Sequence, residues 1–160
     1  MTLLHDHHHR QVENLIYEWA RCIDEDRVEA IAELLLPDGR YTVRSRFNAD
    51  RGLPHAWIDA QSAAQLRDRI KSMRIANVYE PHHYRHVLSG VQIVGGSPDA
   101  LEVRSSFLVS RTMDLTGTMA IFATGQCRDV IVVHDGRARF RSREFVLDSR
   151  IIETLLVIPL

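Results

Sequence analysis

Three histidines fall within five positions in the stretch PHHYRH at residues 81–86, with Glu80 just ahead of them. Histidine titrates near neutral pH and is the commonest metal ligand, so acid–base or metal chemistry would centre here first. Two geometries are open. In an extended chain His82, Tyr84 and His86 face one way and His83 and Arg85 the other, which holds His82 and His86 too far apart to share a metal unless the chain bends. In a helical turn His82 and His86 share a face and could enclose a cation together with a carboxylate. Pro81 and the following VLSGVQIV favour the extended form. The stretch then reads either as a polar strand start or as a histidine in the mouth of a cavity, used for binding or proton transfer.

Other chemistry-bearing residues are sparser. HDHHH at 5–9 lies at the N-terminal end, where chains fray, and would take up metal adventitiously. His55 and His134 sit in loop and turn sequence. DED at 24–26 either supplies acid–base groups at a pocket mouth or is a solvated run capping a helix. Cys22 and Cys127 form no C-x-x-C pair and no C-x-H box, which argues against sequence-local zinc–thiolate and iron–sulfur ligation. They are expected as buried free thiols in a reducing cytoplasm. No G-x-S-x-G, phosphate-cradling glycine loop or H-E-x-x-H is present.

The elements that must position these groups follow from periodicity. Val12, Leu15, Ile16, Trp19, Ala20 and Ile23 form one apolar stripe on a helix predicted over 6–23. Asp26 is placed to cap a second helix that carries Val28, Ile31, Leu34 and Leu35 and stops before Pro37. PDG at 37–39 is a turn, and RYTVRSR at 40–46 alternates as a strand. Residues 47–57 read as a loop. A third helix starts at Asp59 as its cap, carries Leu66, Ile70 and Met73 inward, and ends at Asn77. From Tyr84 on, four long strands follow one another, with Asp135-Gly136 as a hairpin signal. Helices first and strands after imply an α+β fold: a curved antiparallel sheet wrapped around N-terminal helices, the nuclear transport factor 2-like (cystatin-like) cone. Gly125, inside a long strand, is expected at a bulge or bend.

The 160 residues suit one domain over 1–160, with 1–10 as a flexible lead-in. The formal net charge of −1 gives no general pull toward nucleic acid or an anionic membrane. No run approaches the roughly 20 apolar residues of a membrane span, and no secretory signal opens the chain, so a cytoplasmic protein is expected. Lys71 is the only lysine among twenty basic residues. Genomic base composition or selection for arginine at contact surfaces would each produce that bias. Arg137, Arg139, Arg141 and Arg143 alternate along the last strand, so all four are predicted on one side, either as solvated surface or facing a partner's carboxylates.

Taken together, three stretches carry a family likeness: LRDRIKSMRIANVYEPHHYRHVLSGVQIV at 66–94, SSFLVSRT at 105–112, and CRDVIVVHDGRARFRSREFVLDSRIIETLLVIPL from 127 onward. The sequence resembles the small (beta) subunits of Rieske-type aromatic-ring-hydroxylating dioxygenases, most of all those acting with terephthalate, salicylate or similar aromatic-carboxylate oxygenases. The resemblance implies the cone fold, trimeric self-association, and a three-plus-three hexamer with a large (alpha) subunit. It places the Rieske [2Fe-2S] cluster and mononuclear Fe(II) in that large subunit and no cofactor, metal or catalytic residue in this chain. The role implied is a structural one in the oxidation of an aromatic compound. Candidate interface residues are Arg137, Arg139, Arg141 and Arg143, with Ile158 and Leu160 from the apolar segment 151–160. The alternatives are a stand-alone cone-fold isomerase or dehydratase using His86, Asp24 and Tyr41, or a small-ligand binding protein.

Overall fold

The apolar stripe of the first helix decides where everything else packs. In the computed structural model, which describes residues 2–97, 99–152, 154 and 156–160 (backbone alone for 2–7), α1 spans Thr2–Asp24. It begins four residues earlier than the apolar spacing suggested. Val12, Ile16 and Trp19 have no exposed surface, and Leu15, Ala20 and Ile23 are buried beside them. The side chains of His5, Asp6 and His7 lie outside the described residues, while His9 stands 3.6 Å from Glu13 one turn on.

The chain then reverses sharply. Asp26 takes a left-handed backbone conformation, φ 56°, and its carboxylate pairs with Arg74 at 2.7 Å. It therefore does not cap the next element, a 3-10 helix over Val28–Leu34 whose N-cap, Arg27, makes no side-chain capping bond. β1 (Leu35–Ser45) absorbs the predicted turn at 37–39 as an irregularity in its pairing. The expected loop holds a short helix α2 (Arg46–Asp50) and strand β2 (Ile58–Ala60). Asp59 lies in β2 opposite Thr42, so Ser62 caps α3 (Ala63–Ile75) instead, its hydroxyl accepting from the Gln65 N–H at 3.2 Å. Ala76, not Asn77, closes that helix.

Four long strands follow: β3 (His82–Ser97), β4 (Ala100–Met113), β5 (Met119–His134) and β6 (Arg137–Leu147). Asp135 and Gly136 both have positive φ, 48° and 72°, as a two-residue hairpin turn requires. The sheet order is β2-β1-β6-β5-β4-β3. It is mixed, not purely antiparallel, because β1 runs parallel to β6. Long-range pairing of the first strand with the last leaves no trace in local periodicity. Gly125 is no bulge: it pairs in register with Phe107 and Leu147. A Cβ there would overlap the Val146 carbonyl, so glycine serves close strand approach.

The bulge lies one strand over. Ile131 pairs with Phe140 but Val130 pairs with Ser142, which leaves Arg141 as the extra residue on β6. One extra residue inverts the alternation. Arg137 and Arg139 stay exposed, but Arg143 turns inward and is only 1% exposed, so it leaves the predicted arginine row. Segment 151–160 also folds back into its own core. Leu156, Val157 and Leu160 are buried, and the Leu160 backbone oxygen accepts from Trp19 Nε1 at 2.8 Å and from the Tyr41 hydroxyl at 3.0 Å. Leu160 is thus a core residue of this chain, not an exposed interface residue, and Ile158 is partly buried against that core. Rings of Trp19, Tyr41, Phe107, Phe140 and Phe145 fill the interior, with centroids between 4.9 and 6.2 Å apart in tilted or edge-on contacts.

Candidate functional site

β3 sets the geometry of the histidine cluster. It is extended, so His82, Tyr84 and His86 face inward while His83 and Arg85 are exposed. Asp24, the last residue of α1, meets His86. Its Oδ1 lies 2.6 Å from His86 Nδ1, and its Oδ2 accepts the His86 backbone N–H at 3.0 Å. A carboxylate only accepts, so Nδ1 donates to it, and in the neutral ring the lone pair is on Nε2. That Nε2 is buried without a partner. An imidazole oriented by a carboxylate is the arrangement of a general base. Here, however, the His86 side chain has no exposed surface and does not line the cavity at the cone mouth.

Tyr41, the third member of the alternative triad, is committed elsewhere. Its hydroxyl donates to the Leu160 backbone oxygen and accepts from the Leu160 N–H at 2.9 Å. Burial pushes its phenol well above the usual range. The structure therefore unites Asp24 with His86 and ties Tyr41 to the chain's own backbone.

His82 and Tyr84 line a cavity of about 230 Å³ at the mouth, walled by Tyr79, Pro81, Ile23 and Val28. His82 Nδ1 stands 2.7 Å from the Glu80 carbonyl, and its Nε2 is buried and unpartnered. On the outer face, His83 Nε2 pairs with Asp114 at 2.7 Å. Among the described residues, no three His, Cys, Asp or Glu side chains gather in a metal-sized group.

Deep in the cone lies a pair that local alternation misplaced. Arg143 Nη1 contacts Asp129 Oδ2 at 2.8 Å, and both side chains are fully enclosed. The guanidinium lies 4.6 to 5.1 Å from the Phe140, Phe145 and Trp19 ring centres. Burial pushes the Asp129 carboxyl up to about 6, opposed by the Arg143 charge. Burial likewise pushes the thiols of Cys22 and Cys127 up to about 11 and 12, so both are inert thiols at neutral pH.

The surface carries exposed arginines and apolar side chains. Arg137, Arg139 and Arg141 are exposed, the first two beside Leu36 and Val132 in a hollow of about 470 Å³. Sequence reasoning missed two further regions on the outer sheet face. Val87, Leu115, Met119 and Ile121 are each more than half exposed, and the pairing of Val87 with Leu108, of Ser110 with Ile121 and of Thr112 with Met119 places Val87, Met119 and Ile121 on one side, with Leu115 in the turn that joins β4 to β5. A groove of about 630 Å³ gathers Arg40, Arg44, Arg104 and Arg128 with Glu102 and Glu144. In it Arg104 and Arg128 are direct cross-strand partners, and Arg44 holds Glu144 at 2.7 Å. The signal for both was present as outward alternation, but only register shows which strands lie side by side.

Residues 7–144 match the family model of the SnoaL-like domain. The chain is 36% identical over 142 residues to a terephthalate 1,2-dioxygenase terminal oxygenase component subunit beta 2 from Comamonas sp, covering 89% of this chain and 92% of the relative. It is 32% identical over 138 residues to an anthranilate 1,2-dioxygenase small subunit from Burkholderia cepacia, covering 86% and 85%. In fold it matches a Novosphingobium aromaticivorans protein assigned as the beta subunit of an aromatic-ring-hydroxylating dioxygenase. The TM-score is 0.89 at 29% identity, covering 98% of this chain and 99% of that one.

Proposed function

The chain belongs to the small (beta) subunits of aromatic-ring-hydroxylating dioxygenases, built on the SnoaL-like domain, and from that premise we propose that it serves as the non-catalytic scaffold of a ring-oxidising oxygenase. In this reading it binds a large (alpha) subunit that carries the Rieske [2Fe-2S] cluster and mononuclear Fe(II), as three-plus-three hexamers with the small subunits trimeric. The assembly works in the cytoplasm on an aromatic carboxylate. The names of the terephthalate and anthranilate relatives support that substrate class.

One observation carries the scaffold reading: the cone interior is filled by the chain's own side chains. Trp19, Phe140, Arg143 and Leu160 occupy it, and His86 is sealed beneath the surface. A base with no access to the mouth has no substrate proton to take. The contact regions face outward instead, where interfaces favour arginine and apolar side chains over lysine.

Light scattering with and without the large subunit tests this. The wild-type chain is expected to self-associate and to bind the large subunit, and reversing charge at Arg139 and Arg141 together should weaken assembly without lowering thermal stability. A chain that stays monomeric at high concentration and ignores the large subunit overturns the reading. The Asp24–His86 contact of 2.6 Å favours the stand-alone enzyme as the second reading. His86→Gln separates the two: turnover of the complete oxygenase should stay near wild type, whereas loss of a general base lowers it about a hundredfold or more with assembly intact.

A further inference from the structure

We propose that Arg51 and Arg150, stacked on the ring of Phe47, form the point where an acidic segment of the large subunit docks. The inference rests on the scaffold reading and names one contact for it.

Turns at two distant places in the chain build the stack. Phe47 lies in α2, and Arg51 closes that helix, its backbone N–H bonding back to the Asn48 carbonyl. Arg51 Nη1 also donates to the Phe47 carbonyl at 3.3 Å. Arg150 arrives from the segment after β6. There the Ser149 hydroxyl donates to the Ile151 carbonyl at 2.7 Å and accepts the Ile151 N–H at 3.1 Å. The guanidinium carbons of Arg51 and Arg150 stand 3.9 and 3.8 Å from the ring centre. One face of a phenyl ring has room for one guanidinium at that distance, so the cations lie on opposite faces. Stacking holds each guanidinium flat and leaves N–H donors at its rim for a carboxylate.

Charge then selects the occupant. The carboxylates nearby are committed, Asp148 to Arg46 at 3.1 Å and Asp50 to Arg128 at 3.3 Å. Among the described residues no carboxylate pairs with Arg51 or Arg150. Two positive charges therefore share one ring, within the roughly 8 Å over which physiological salt screens them. Carboxylates from outside relieve that repulsion and match the planar forks, which stacking has already ordered. Apolar surface flanks the pair. Leu53 is 40% exposed and its N–H bonds to Asn48, and Ile151, next to Arg150, is 75% exposed. Arginine and aromatic side chains beside apolar ones make up the anchors of protein interfaces. A second copy of this chain fits less well, because Glu25, Asp26, Glu29 and Glu144 already hold arginines of their own.

The test combines Arg51→Gln with Arg150→Gln in the full-length chain. Calorimetry at low and at physiological salt measures its binding to the large subunit, and light scattering measures its self-association. Kd for the large subunit should rise roughly thirtyfold, the loss of one interface hot spot. Wild-type binding should weaken more steeply with salt than that of the variant. Self-association should be unchanged. Arg51→Lys with Arg150→Lys keeps the charge without the fork and should recover binding only in part. Equal binding by wild type and the glutamine variant overturns the docking point and leaves the scaffold reading standing. Full recovery by the lysine variant overturns it too, as does loss of self-association in the glutamine variant, which would assign the stack to a second copy. A wild-type chain that ignores the large subunit overturns both the docking point and the scaffold reading. Should the glutamine variant fail to fold, the lysine variant decides alone: binding several-fold weaker than wild type supports the docking point, and equal binding overturns it.

Discussion

Replacing Arg143 by methionine removes one half of a fully enclosed ion pair while keeping most of the side-chain volume. Asp129 is then left in the core with neither carboxylate oxygen paired to a side chain, since only its Oδ2 meets Arg143 and Oδ1 already lacks a hydrogen-bond partner. Orphaning a buried charge costs about 3–5 kcal/mol. For 160 residues, at an unfolding entropy of roughly 2.1 cal/mol/K per residue, that lowers Tm by about 9–15 °C. The loss must depend on pH, and its sign follows from burial. Asp129 is already raised from its ordinary 3.8 to about 6 by desolvation, and without the guanidinium it rises further. A carboxyl raised in the folded state favours folding at low pH, and that contribution is lost as pH climbs through the folded value. The Arg143→Met deficit should therefore be largest near about pH 8 and shrink toward about pH 5, where the carboxyl escapes by protonating. Adding Asp129→Leu should recover most of the loss, because an apolar pair of similar volume replaces a buried ion pair at little cost. Thermal melts followed by circular dichroism at the two pH values read all three results. A Tm loss under about 2 °C at the higher pH, or an equal loss at both, would refute the account of a desolvated, mutually dependent pair.

Tyr41→Phe leaves the buried Leu160 N–H without its acceptor and should cost about 1–3 kcal/mol, with faster proteolysis of residues 156–160 as the readout. Gly125→Ala drives a methyl group into the Val146 carbonyl, so soluble yield should fall sharply relative to an Ala substitution at an exposed strand position. Ser62→Ala should cost about 1 kcal/mol as the loss of the α3 cap, whereas Asp59→Ala should stay within about 0.5 kcal/mol; urea melts separate the two.

Local pattern determined much of this protein. The apolar stripe from Val12 to Ile23, the inward row Leu66, Ile70 and Met73 and the inward set His82, Tyr84 and His86 follow from periods of 3.6 and 2, which any chain with those side chains must obey in water, and the turn at Asp135-Gly136 follows from the tolerance of that dipeptide for positive φ. Helices ahead of strands were enough for the cone. What local pattern could not contain is anything that depends on two distant segments meeting. The parallel pairing of β1 with β6, the capture of Leu160 by Trp19 and Tyr41, and the meeting of Asp24 with His86 join residues 62 to 141 positions apart. Arg143 shows why most plainly. Strict alternation puts it outside with Arg137 and Arg139. A single unpaired residue, Arg141, shifts the phase by one, and every side chain beyond it changes face. That bulge exists only because β5 offers Ile131 to Phe140 and Asp129 to Arg143, so the choice between a surface arginine and a core ion pair was made by the neighbouring strand.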